Sequence, residues 1–153
     1  MPWPLPMGWV VTGLVRAGDE RSGVRATALA CSGPAPLGGP GELVLIAEEP
    51  GVGLGACFAG LDHADPGATM LRSASTAKVT ARGRPTALWA VGDHPDDRAA
   101  YVGEADGLWL WAVLWPADAG HLLADDLSVV DLRDHAASFD LPCGALSPRL
   151  FQP

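Results

Sequence analysis

The sequence predicts an α+β domain, predominantly antiparallel, with about eight strands and one or two short helices. Three observations predict it. Short apolar runs recur along the chain, each bounded by Gly, Pro, Asp or Ser. The tetrapeptide Ala105-Asp106-Gly107-Leu108 carries a strong hairpin signal, because Asp-Gly supplies the two positive-φ residues of a tight turn between apolar strands. In residues 51–69, Gly51, Gly53, Gly55 and Gly60 argue against a stable helix, each costing about 1 kcal/mol relative to alanine inside one.

Residues 9–17 and 24–31 read as the first two strands, joined by a loop with Gly18, Asp19, Ser22 and Gly23. The second strand sets Val24, Ala26, Ala28 and Ala30 on one face, small enough for a neighbour to approach closely. Residues 32–41 contain three prolines and four glycines and form a loop. In the third strand, 42–48, Leu43, Leu45 and Ala47 alternate with Val44 and Ile46, so both faces should be covered. Residues 76–82 set Lys78, Thr80 and Arg82 against Val79 and Ala81 as a half-exposed strand, and 86–91 follow as another. Asp93, Pro95, Asp96 and Asp97 resemble a helix start. The following Tyr101-Val102-Gly103 favours a strand over 99–105, with at most one helical turn before it. Its hairpin partner is 108–115. A short helix over 118–125 and a final strand over 127–132 come last. Both 9–48 and 99–132 follow a strand–strand–long loop–strand order, with the same 19-residue spacing from Val24 to Leu43 and from Leu108 to Leu127, a weak sign of internal duplication.

With 153 residues, 48% of them hydrophobic, a single globular domain spanning 1–153 can bury its own core and is not disordered. No apolar run nears the roughly 20 residues of a membrane helix. The opening Met-Pro-Trp-Pro-Leu-Pro lacks a basic residue and is no signal peptide, so a cytoplasmic location is the default expectation. A net charge of −8 makes the chain acidic and repels nucleic acid and anionic membranes. Residues 66–92 are the exception, with Arg72, Lys78, Arg82 and Arg84 and no acid. Their plain reading is a solvated edge strand, and the alternative is a site for an anion or acidic partner. Cys31, Cys57 and Cys143 form no Cys-x-x-Cys pair and are expected to be unbridged thiols.

Register from the Asp106-Gly107 turn pairs Glu104 with Trp109, Val102 with Trp111, Ala100 with Val113 and Arg98 with Trp115. One face therefore carries Trp109, Trp111 and Trp115 with Arg98 and Glu104, an amphipathic surface suited to a ligand or partner. The opposing reading is a strand buried on both faces, with the two charges at its rims. An alternative site takes Asp19, Arg21, Cys31 and Ser32. Cys31-Ser32-Gly33 ends a strand, where a nucleophile can be exposed, but the chain lacks a Gly-x-Ser-x-Gly elbow and an assignable histidine base. Prolines in the loop that follows remove N–H donors, so it is no phosphate cradle. Asp62-His63-x-Asp65 and Asp93-His94-x-Asp96 have metal-ligand chemistry, yet polar loops of this kind are ordinarily solvated. His121 and His135 also sit in polar contexts. No metal or cofactor is expected.

The strings Met1-Pro-Trp-Pro-Leu-Pro-Met-Gly-Trp9, Gly18-Asp-Glu-Arg-Ser-Gly23, Ala30-Cys-Ser-Gly-Pro34, Gly41-Glu-Leu-Val-Leu-Ile-Ala-Glu-Glu49, Gly107-Leu-Trp-Leu-Trp-Ala-Val-Leu-Trp-Pro116, Asp131-Leu-Arg-Asp134 and Pro142-Cys-Gly-Ala-Leu-Ser-Pro-Arg-Leu150 resemble an uncharacterised actinobacterial family of unknown function. The resemblance covers essentially the whole chain. Members are often labelled phosphotransacetylase, which would imply acyl or phosphoryl transfer; that class is built on α/β layers, unlike the β-rich pattern here. Members often carry a cysteine-containing segment, similar to a zinc ribbon, before the Met-Pro-Trp-Pro string, so Met1 is either the native start or follows such a segment. The resemblance implies no catalytic residues.

Two functions fit these residues. One is a non-catalytic binding or protein-interaction domain that uses the tryptophan face, its partner a protein, a small molecule or a second copy of the chain. The other is a small enzyme of acyl or phosphoryl transfer that uses the loop after Cys31, with Asp19 and Arg21 nearby. An enzyme needs a pocket with converging titratable groups. A binding module needs only accessible apolar surface.

Overall fold

Local turns build most of the sheet. The computed structural model describes residues 1–21, 23–62, 65–131 and 147–151. Strand β1 (Val10–Asp19) pairs antiparallel with β2 (Gly23–Pro34), and β2 with β3 (Pro40–Glu48). Strands β4 (Ala77–Ala81) and β5 (Arg84–Ala90) form a hairpin, as do β6 (Ala99–Ala105) and β7 (Leu108–Trp115). Asp106 (φ 54°) and Gly107 (φ 78°) fill the second turn as the sequence predicts. Arg82 (φ 49°) and Gly83 (φ 72°) fill the first, an Arg-Gly pair without the Asn-Gly or Asp-Gly signal. Two non-local pairings join the pieces: β3 with β7, and the two-residue β8 (Ser128–Val129) parallel to β4. The order is β1-β2-β3-β7-β6-β5-β4-β8, an α+β, mainly antiparallel arrangement with short helices.

Several expectations need correction. The loop over 32–41 is shorter, because β2 runs to Pro34 and β3 starts at Pro40. Residues 51–69 are not free of helix: α1 (Leu54–Ala59) and α2 (Pro66–Arg72) lie there. The glycines serve this helix rather than break it. Gly53 and Gly60 are its left-handed caps, and Gly55 lies inside it where no side chain would fit, as described below. The helix over 118–125 is a 3₁₀ helix over Ala117–Ala124. Of the final strand over 127–132, only Ser128 and Val129 pair; Leu132 lies outside the described residues. β3 pairs with its predecessor β2, whereas β8 lies beside β4.

The sheet curls, and one glycine lets it. β5 and β6 share only two residue pairs, Trp89 with Val102 and Ala90 with Tyr101. Beyond them, a Cβ on Gly103 would lie 2.3 Å from the Ala87 carbonyl oxygen. Only glycine allows the β5 backbone this close, so the β4–β5 hairpin folds over the inner face. Residues from both ends of the strand order accordingly share one cluster: Val11, Leu29, Leu43 and Leu45 with Val79 and Leu88. Residues 1–3 add to the β8 side, with Trp3 N–H donating to Ser128 O (2.8 Å) and Val130 N–H to Met1 O (2.9 Å). The outer face carries a second cluster around Ala28, Ala30, Val44, Ile46, Trp111 and Phe58. β3 is thus covered on both faces, as its two apolar alternations predict. The small face of β2 receives Leu150 from a 3₁₀ helix at Pro148–Phe151. No helix among the described residues is long and apolar enough to cross a membrane.

Candidate functional site

The tryptophan hairpin has the register expected of it. Glu104 lies opposite Trp109, Val102 opposite Trp111 and Ala100 opposite Val113. Arg98 falls just before the ladder and still reaches Trp115, its guanidinium carbon 5.2 Å from the indole centroid. Arg149 lies over the same ring at 4.8 Å. The face is closed rather than open. Trp111 is 1% exposed and Trp115 4%, while Trp109 alone of the three is half-buried. Helix α1 is the cover: a Cβ on Gly55 would meet Trp111 ring atoms at 2.2–2.4 Å. The helix is anchored by Glu48, a buried carboxylate that accepts the N–H groups of Leu54 (2.6 Å) and Gly55 (3.2 Å). Those N–H groups belong to the first helical turn and have no partner within the helix.

The two charges that flank the tryptophans are both satisfied. Arg98 pairs with Asp97 (2.7 Å), its hydrogen bond holding the Asp97 carboxyl below its usual range, and donates to Phe58 O (2.9 Å). Glu104 accepts the Gly107 N–H at 2.8 Å. Arg149 pairs with Glu42 at 2.8 Å, which fastens the C-terminal 3₁₀ helix to β3. These contacts make the cluster of Arg98, Trp115, Arg149 and Glu42 a clamp between chain segments.

The alternative site is not assembled. Asp19 lies opposite Gly23 at one end of the β1–β2 ladder, and Ser32 lies opposite Val10 at the other. Asp19 accepts the Arg21 N–H (2.8 Å), which places Arg21 at the same turn. Eight residues of β2 separate that turn from Cys31, roughly 25 Å of extended chain. Cys31 faces the inner cluster at 1% exposure, and burial pushes its thiol up to about 12, so it stays protonated near neutrality. Cys31 and Cys57 are both free; Cys143 lies outside the described residues. A brief maleimide treatment of the native protein, followed by peptide mapping, should therefore label exposed Cys57 and spare Cys31 until the chain is unfolded. Equal native labelling of the two would show that β2 does not bury Cys31.

Among the described residues, no three of His, Cys, Asp or Glu gather as metal ligands. His94 Nδ1 sits 2.9 Å from the Pro95 carbonyl oxygen. His63 and His135 lie outside the described residues.

A concavity that sequence reasoning missed opens on the inner face, with a volume of about 480 Å³. Its origin lies in two cross-strand rows. The deeper row, Leu14–Leu29–Leu45–Ala112, packs into the core, and Leu29 and Leu45 form the floor. The next row toward the β1–β2 turn, Arg16–Thr27–Ala47–Leu110, has small residues at its centre and leaves space. Val129 and Val130 form the opposite wall. Among the described residues, four charged side chains line the mouth, together with the Met1 α-amino group. Arg25 pairs with Glu49 (3.0 Å), and Asp131 pairs with Arg82 (3.1 Å), which also holds Asp106 (2.9 Å). Arg16 is exposed and has no ion pair with any described residue. Among the described residues, the lining is mainly aliphatic and no aromatic ring takes part.

The chain belongs to the family described as Family of unknown function (DUF6758), whose model matches residues 1–150. No curated protein and no solved structure matches it.

Proposed function

We propose that this member of the family is a binding domain that holds a small apolar ligand in the cleft on the inner face of its curled sheet. One observation carries the reading: the row Arg16–Thr27–Ala47–Leu110 leaves an aliphatic cavity of about 480 Å³ at the mouth of the sheet. That size lies within the roughly 300–1,000 Å³ of small-molecule sites. Binding by the tryptophan face has less support, because α1 covers Trp111 and two arginines cover Trp115. Acyl or phosphoryl transfer, which the phosphotransacetylase label of similar proteins would suggest, lacks a converging set of groups among the described residues, since Asp19 and Arg21 sit far from Cys31 and Ser32.

The test uses N-phenyl-1-naphthylamine, an uncharged dye that brightens in apolar surroundings. It should bind the native protein with one-to-one stoichiometry. Ala47→Trp places an indole in the empty row and should abolish the signal; Ala47→Leu, a milder filling, should weaken it. Both variants direct their new bulk into open space, so a native thermal transition should persist. Unchanged dye binding by a folded Ala47→Trp protein would overturn the reading.

A further inference from the structure

We infer that the occupant of the cleft is a small aliphatic carboxylate, its tail on Leu29, Leu45 and Leu110 and its head group on Arg16 and Thr27. The inference rests on the cleft being a binding site and goes further by naming the chemistry of the ligand. Charge accounting at the mouth carries it. Of the four charged side chains that line the cleft among the described residues, Arg25 and Glu49 neutralise each other, and Asp131 is held by Arg82. The Met1 α-amino group also lines the cleft, but it donates to Val130 O at 2.7 Å and burial lowers its pKa to about 6, so it adds little charge near neutrality. Arg16 is left as the one lining side-chain cation with no counter-ion among the described residues.

Register fixes what lies beside it. Arg16 is the direct cross-strand partner of Thr27, which also lines the cleft and in turn lies opposite Ala47. A guanidinium and a hydroxyl are thus neighbours on one row, immediately above an aliphatic floor. A planar guanidinium matches a carboxylate with two parallel hydrogen bonds, and a hydroxyl can donate a third. One free arginine suits a monoanion. A phosphate dianion calls for more positive charge than this mouth offers, because the hollow on the far side of Arg16 brings in Asp19 and Glu20. The tail follows from the walls: the described lining is aliphatic and holds no aromatic platform, which favours a flexible alkyl chain over a stacked ring.

The experiment displaces N-phenyl-1-naphthylamine from the full chain with octanoate, octanol or octylammonium, which share a tail and differ in head group. Octanoate should displace the dye at about tenfold lower concentration than the other two, the size expected of one charge-assisted, partly exposed head-group contact. Arg16→Gln should bring the octanoate-to-octanol ratio close to one. Lys78→Gln makes the same charge change on an exposed position of β4 outside the cleft and should leave the ratio as it was. Octanol equal to octanoate in the native protein, or an advantage that survives Arg16→Gln, would overturn the carboxylate while leaving an apolar cleft in place. Dye binding that persists in a folded Ala47→Trp protein would instead remove the cleft, and the carboxylate with it.

Discussion

Trp111→Ala should cost about 3–5 kcal/mol of folding free energy, the range for emptying a large aromatic site in a core. The loss should appear as a lower urea midpoint with little change in slope. The indole has core on every side. Ile46 of β3 and Val102 of β6 are its cross-strand neighbours, and both are fully buried. Helix α1 closes the outer face above it, with Gly55 against the ring. Trp109 occupies the next outward-facing position of the same strand but is only half-buried, between Glu48 and Glu104. Trp109→Ala should therefore lower the midpoint distinctly less. Similar losses at the two positions would mean that α1 does not enclose Trp111 more than Trp109. The indole Nε1 of Trp111 has no hydrogen-bond partner among the described residues, so apolar contact dominates what the truncation removes.

The contrast between these two tryptophans marks where sequence reasoning succeeded and where it stopped. Asp106-Gly107 is a local signal, and a two-residue turn fixes the register of everything beyond it; Glu104, Val102 and Ala100 pair as read from the chain. What covers a face is a different question, because the cover comes from elsewhere. The glycines between residues 51 and 60 argue against a helix by intrinsic propensity, and that argument holds for an isolated peptide. In the protein the helix is held by tertiary contacts: Glu48 caps its first turn and Trp111 receives its flank. A carboxylate that ends an apolar strand just before a Gly-x-Gly run was the available signal, and its meaning depends on where the chain turns next. The cleft was harder still to foresee. Ala47 and Leu110 become neighbours only because β3 pairs with β7, across more than sixty residues of sequence. Arg16 and Thr27 were each legible as strand residues, yet their common row with Ala47 needs that non-local pairing. Conversely, Asp19 and Cys31 look close in sequence, and the extended β1–β2 ladder holds them apart.

Gly55→Ala should destabilise the protein by about 1–3 kcal/mol, the range for forcing extra volume into a packed core. Propensity alone predicts the opposite sign, a gain of about 1 kcal/mol for replacing glycine by alanine inside a helix. The observation that decides between them is a distance. A Cβ at Gly55 would lie 2.2 Å from Trp111 Cδ1, 2.3 Å from Cγ and 2.4 Å from Nε1, far inside van der Waals contact. The ring cannot give way easily, since β7 is hydrogen-bonded on both sides, to β3 and to β6. The helix cannot lift without breaking the contacts of Glu48 with Leu54 and Gly55. A double-mutant cycle separates this clash from any general intolerance of the site. Trp111→Leu removes the ring atoms that Cβ would meet, so Gly55→Ala in that background should cost nothing, or return part of its helix-propensity gain. The two substitutions should couple by at least about 1 kcal/mol, as expected for residues in direct contact. Additive losses, or a rise in midpoint from Gly55→Ala alone, would show that α1 does not rest on Trp111.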